Sequence, residues 1–142
     1  PAREALVRRL GAHGVALGPT LKGVEGGFDL VVESLGGPTL ATVMGRLNPG
    51  GEAVLIGASD SAVTTLDGSV FRIGGTSLYG LNLFYELQHT APGPALSALA
   101  DLVAAGKLDP LIEVEVPWTR VADVAADLVA RRFSGKAVLT VG

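Results

Sequence analysis

Phe28-Asp29-Leu30-Val31-Val32-Glu33-Ser34-Leu35-Gly36-Gly37 is the stretch on which the fold turns. Its β-branched, apolar centre suits a strand buried in a parallel sheet, and the two glycines fall where a strand hands over to a helix. Pro38 stands at a position that a first helical turn tolerates, and Leu40, Val43, Met44 and Leu47 keep the i, i+3, i+4, i+7 spacing of an apolar helical stripe. Asn48-Pro49-Gly50-Gly51 then stops the helix, and residues 53–56 form the next strand, ending at Gly57. Strand, helix and strand in this order make a βαβ unit.

The same alternation extends both ways. Upstream, residues 1–10 place Leu6, Val7 and Leu10 opposite Arg3, Glu4, Arg8 and Arg9, which predicts a short amphipathic helix closed by Gly11. The apolar run at residues 15–17 reads as a further strand before the turn containing Gly23, Gly26 and Gly27. Downstream, residues 58–76 are polar with Val70, Phe71 and Ile73 embedded, which predicts a long, functionally interesting loop with at most one helical turn. Residues 77–82 read as a strand, and residues 95–105 as a helix with Leu96, Leu99, Ala100 and Val103 buried and Gly106 as its stop. Residues 111–116 alternate as a strand with one wet face. Thr119 is positioned to cap a helix carrying Val121, Val124, Ala125, Leu128 and Val129, and residues 137–141 form a last strand. The expected class is α/β, a mainly parallel sheet flanked by helices, whose ligands lie beyond the carboxyl ends of the strands.

Composition narrows the function. The chain has 142 residues, 48% hydrophobic and 18% charged, enough for one packed core and unlike a disordered chain. Eleven Lys and Arg against 14 Asp and Glu give a net charge of −3 with no basic block, which excludes nucleic acid as the expected partner. No apolar run approaches the roughly 20 residues that cross a bilayer, and no signal segment is legible, so the expectation is a cytoplasmic chain with no membrane partner. There is no cysteine, hence no disulfide and no thiolate metal site, while 20 glycines point to many tight turns. A first residue other than Met reads as a fragment or a processed chain.

No G-x-G-x-x-G joins a strand to a helix, so the backbone cradle for a pyrophosphate is missing. Gly23, Gly26 and Gly27 precede a strand and read as a plain turn. Gly36-Gly37 is better placed, either letting a ligand approach the backbone or making a tight connection with Gly37 as the N-cap. His13 and His89 are remote from each other and have no metal-ligand spacing, so no metal is expected. Ser34 lies at a strand end without a nucleophile elbow. Glu113 and Glu115 share a strand face, an acid pair or, on the alternation, a solvated edge. Tyr79, Phe84 and Tyr85 either stack on a planar ligand or pack on the sheet.

Taken together, residues 28–37, the run Leu47-Asn48-Pro49-Gly50-Gly51-Glu52-Ala53-Val54-Leu55-Ile56-Gly57, residues 102–110 and Gly135-Lys136-Ala137-Val138-Leu139-Thr140-Val141 resemble the cofactor domain of medium-chain dehydrogenases/reductases, a superfamily that includes the zinc-type alcohol dehydrogenases. The likeness is to their zinc-free, quinone oxidoreductase-like branch. It implies a Rossmann-like fold lacking its first strand and Gly-rich loop. It also implies that residues 1–142 are one partial nucleotide-binding domain, with residues 119–142 returning toward an absent catalytic domain. The implied chemistry is hydride transfer from NADP- or NAD-type cofactors to a quinone, enone or related carbonyl, with the isolated chain inactive and binding cofactor weakly or not at all. By the same resemblance Ser34, Leu35 and Gly36 border the cofactor, Ile56, Gly57 and Ala58 face the nicotinamide, Leu81 and Asn82 close that side, and Lys136 is a further contact. Catalytic residues are not assignable. The strand at residues 77–82 is an expected edge through which two copies pair into a homodimer. Two other readings stand beside this one: half of an S-adenosylmethionine methyltransferase domain, and a non-catalytic assembly module.

Overall fold

The computed structural model describes residues 3–18 and 20–142, with Ile73 described by its backbone alone; Pro1, Ala2, Pro19 and the Ile73 side chain lie outside the described residues. The elements run α1 (Glu4–Arg9), β1 (Phe28–Glu33), α2 (Gly37–Met44), β2 (Leu47–Leu55), α3 (Ser69–Gly74), β3 (Ser77–Gly80), α4 (Leu83–Glu86), α5 (Gly93–Ala104), β4 (Ile112–Pro117), a 3-10 turn (Trp118–Arg120), α6 (Val121–Val129) and β5 (Lys136–Thr140). The chain divides into two compact units. One is Ala12–Ala91, and the other is Pro92–Gly142 with the segment ending at Gly11.

In the Ala12–Ala91 unit, β1, β2 and β3 pair in that order and all in parallel. Leu40, Val43 and Met44 of α2 and Ala53 of β2 are buried together, with Val31, Leu55, Val70 and Leu78 packed against them. The helical spacing holds for Leu40, Val43 and Met44, which lay one stripe of α2 on one face of the sheet, whereas Leu47, expected on the same stripe, begins β2 instead. On the other face Leu30 and Val32 stay 64% and 63% exposed, so α2 covers a single side.

Asn48-Pro49-Gly50-Gly51 does not stop α2, which corrects the expectation: the helix ends at Met44 with Gly45 as its C-cap, and the four residues lie inside β2. The register runs Phe28 opposite Leu47 and Leu30 opposite Glu52, so these residues bulge out of the ladder, with Gly50 at φ +77°. No strand forms at residues 15–17, which corrects the expectation of two strands before residue 35. Three residues between a glycine turn and Gly18 find no partner strand in their unit, and an unpaired strand has nothing to satisfy its backbone. Among the described residues the loop from 58 to 76 contains one short helix, α3, whose six residues exceed the single turn expected.

In the second unit β4 and β5 pair in parallel. Helix α5 ends in a Schellman turn, with the Gly106 amide donating to the Val103 carbonyl, the Lys107 amide to Leu102, and Gly106 at φ +66°. The expected stop is thus correct, but Leu96, Leu99, Ala100 and Val103 are exposed rather than buried, because a two-stranded ribbon offers that stripe no cover within the unit. Thr119 is not an N-cap. It lies in the 3-10 turn, and Arg120 precedes α6 without any side-chain cap.

Candidate functional site at the carboxyl ends of the strands

The carboxyl ends of β1, β2 and β3 lie side by side because the strands are parallel and in register. The Ile56 amide donates to the Glu33 carbonyl at 2.8 Å and the Leu81 amide to the Leu55 carbonyl at 2.9 Å, so each exit turn is tied to its neighbour. Ser34 and Ser59 add a link, the Ser59 amide and hydroxyl both donating to the Ser34 carbonyl at 3.1 Å. An added Cβ on Gly57 would stand 3.2 Å from that same carbonyl. Ser34, Leu35, Gly36, Ile56, Gly57, Ala58, Leu81 and Asn82, all singled out from the sequence, therefore share one sheet edge. Ile56, Gly57, Ala58, Leu81 and Asn82, with Leu55 and Gly80, line an open cavity of about 370 Å³.

Lys136 is elsewhere. It begins β5 in the other unit, where its Nζ donates to the Pro110 carbonyl at 3.1 Å. Glu113 and Glu115 are exposed on β4, and the Glu113 carboxylate accepts the Ser134 amide at 2.9 Å, the behaviour of a solvated strand face.

The glycine pair at the start of α2 has a local cause. Gly36, the N-cap in place of Gly37, sits at φ +74° and Gly37 at φ +53°. A Cβ on Gly36 would come within 2.2 Å of the Ser61 carbonyl oxygen, and one on Gly37 within 2.9 Å of the Ser61 Cβ. The close approach that the glycines permit is made by the chain itself. The amides of Leu35 and Gly36 are engaged as well, each donating to one oxygen of the Glu33 carboxylate at 2.8 Å. Glu33 is 4% exposed. Sequence reading passed over it because an acidic residue at a strand end carries no signature of its own; its spacing of two and three residues to the amides of a glycine turn is the usable signal.

Beyond β3, Asn82 caps α4 through its Oδ1, which accepts the Tyr85 amide at 3.2 Å. The Tyr79 hydroxyl donates to Glu86, and this bond raises the Tyr79 pKa above its ordinary value. Tyr85 stacks obliquely on His89 at 4.6 Å between centroids, and His89 Nδ1 lies 2.9 Å from the Tyr85 carbonyl oxygen. Phe84 is 78% exposed, so it does not pack on the sheet. Among the described residues no three His, Cys, Asp or Glu side chains converge as metal ligands.

Residues 10–139 match the family of zinc-binding dehydrogenases. The chain belongs to that family. Solved structures carry the same fold over almost the whole of this chain. A Bacillus subtilis protein, yhfP, solved with NAD bound, is 19% identical with a TM-score of 0.73 over 99% of this chain and 44% of its own. An Escherichia coli K-12 protein, yhdH, with bound NADPH is 18% identical, TM-score 0.70, over 99% and 44%. A mycobacterial quinone oxidoreductase is 22% identical, TM-score 0.72, over 82% and 36%. The chain thus spans well under half the length of these neighbours. No curated protein matches it by sequence. Family membership sets aside the methyltransferase reading, and among the described residues no helix is long and apolar enough to cross a membrane.

Proposed function

We propose that this chain supplies the nicotinamide-side edge of the cofactor domain in an NAD(P)H-dependent oxidoreductase that reduces a quinone, enone or related carbonyl. One observation carries the reading. The exit turns of two adjacent parallel strands, β2 and β3, built from Gly57, Ala58, Gly80 and Leu81, leave a cavity of about 370 Å³ at the carboxyl ends where α/β folds place their ligands. Small side chains there admit a flat ring, and Ile56, half exposed, offers it an apolar wall. These residues suit the nicotinamide and its ribose. They do not form a pyrophosphate cradle, since Glu33 already engages the amides at the start of α2.

When bound, the cofactor provides the hydride, and the residues of this chain orient the ring and limit water around it. Ser34, Leu35 and Gly36 border the cofactor, Ile56, Gly57 and Ala58 face the ring, and Leu81 and Asn82 close the far side. The chain pairs with a second copy through β3, and the assembly works in the cytoplasm.

The test is amide chemical-shift mapping of the chain with NADPH, NADH and S-adenosylmethionine. Weak binding of the dinucleotides, shifting Gly57, Ala58, Leu81 and Asn82, is the expected result. Shifts confined to other surfaces, or tighter binding of S-adenosylmethionine, would sink the reading.

A further inference from the structure

Glu33 is the one charged side chain found buried among the described residues, and no step of the proposed chemistry uses it. A buried carboxylate is costly unless its oxygens are satisfied. Here each oxygen accepts one amide, Leu35 at Oε1 and Gly36 at Oε2, both at 2.8 Å, immediately ahead of the eight-residue helix α2. Amides presented at a helix start are what dinucleotide-binding folds use to hold phosphate. In this chain they face a carboxylate from the preceding strand, while the Glu33 carbonyl takes the Ile56 amide and so ties the same residue to the next exit turn.

We propose that Glu33 is a positioning residue acting as a built-in anion. It takes the place a phosphate would hold at the start of α2, fixes the Leu35–Gly36 turn against Ser61, and makes this strand end reject phosphate. The consequence for the cofactor rests on the oxidoreductase reading above: the part of the ligand that borders Ser34, Leu35 and Gly36 is uncharged, and its phosphates bind away from α2. Two features make the substitution self-consistent. A fixed carboxylate repels any second anion from the same amides, and Gly36 and Gly37, at positive φ, wrap the turn around it.

The experiment uses inorganic phosphate and acetate as probes, with chloride at matched ionic strength as control. Phosphate is expected to leave the Leu35 and Gly36 amide resonances of the wild-type chain unmoved. Glu33→Ala should lower the thermal midpoint by about 10 °C, and acetate or phosphate, but not chloride, should restore at least half of that loss and return the Leu35 and Gly36 shifts toward wild type. A merely structural glutamate would show no such anion rescue. Should Glu33→Ala fail to fold, Glu33→Gln keeps one acceptor oxygen and is expected to move one of the two amide resonances and leave the other. Phosphate perturbing the wild-type amides, a folded Glu33→Ala indifferent to anions, or both Glu33→Gln amides resonating as in wild type would each overturn the proposal. Because no nucleotide is present, loss of dinucleotide binding with the rescue intact counts against the oxidoreductase reading and leaves the role of Glu33 standing.

Discussion

The carbonyl oxygen of Ser61 occupies the space in which a side chain on Gly36 would begin, 2.2 Å from the ideal Cβ position, and the two residues form an isolated parallel bridge. The turn that opens α2 and the loop that follows β2 are thereby fitted to each other at backbone level. Gly36→Ala faces both a left-handed φ and a clash with main chain, neither of which a rotamer change relieves. Gly106, at φ +66° with open space around its Cβ, has a positive φ without any clash, whereas Gly36 combines φ +74° with ψ −159°, a region that only glycine adopts readily. Gly106→Ala should cost about 1 kcal/mol and Gly36→Ala about 3 kcal/mol or more, measured by urea denaturation. Equal losses would mean that the Ser61 contact gives way freely.

Arg46 makes a second connection. Its guanidinium donates to the carbonyls of Leu21, Val24 and Gly26, the last at 2.8 Å, and lies 5.4 Å from the centre of the Phe28 ring. Three carbonyls of one loop converge on a single planar donor. Arg46→Lys keeps the charge but not the fork, so it should recover little of what Arg46→Ala loses, about 2 to 3 kcal/mol, and hydrogen exchange should rise in residues 21–26. Full recovery by lysine would show that charge alone holds the loop.

The Tyr79–Glu86 bond has a pH signature. Hydrogen bonding to Glu86 raises the Tyr79 pKa, with desolvation and the Glu86 charge adding in the same direction. A raised folded value means that the bond's contribution is fully present below the ordinary tyrosine pKa and is lost as pH rises through the higher folded one. Spectrophotometric titration should resolve Tyr79 ionising later than it does in Glu86→Gln. Coincident curves would deny the bond in solution.

Zinc should not bind in stoichiometric amount, although the family is named for it. His13 and His89 have no cysteine to join them, and no group of three metal-binding side chains converges among the described residues. Elemental analysis after dialysis decides the matter, and one zinc per chain would contradict the prediction.

What the sequence disclosed and what it hid follow from the range of the interactions. Leu40, Val43 and Met44 were legible because a helical stripe is periodic and local, and the strand ends were legible because Gly57 and the Gly36–Gly37 pair punctuate them. The roles of Glu33 and Arg46 were not, since each depends on main-chain atoms brought to it by folding, and the carbonyls that Arg46 gathers lie 20 to 25 residues away. The run at residues 15–17 misled for the converse reason. Its composition suits a strand, but a strand exists only where a neighbour pairs with it, and none does so here.

The last prediction concerns β3, the outer strand of its sheet, which pairs with β2 on one side only. It carries Leu78 and Tyr79 and has no Lys or Pro to blunt its edge, so a second copy is expected to add antiparallel across a two-fold axis. The direction of each amide decides how to test this. Leu81 donates to the Leu55 carbonyl, inward to β2, and in a strand alternate residues face opposite edges, so the amides of Leu78 and Gly80 point outward. Leu81→Pro would therefore damage the sheet itself. Leu78 is packed against the core, which leaves Gly80, whose φ is not positive and whose Cβ position has nothing within 4 Å. Gly80→Pro should keep the fold and remove one outward donor, shifting light scattering from dimer toward monomer at micromolar concentration. A monomeric wild type, or a folded Gly80→Pro chain that dimerises as tightly as wild type, would place any association on another surface.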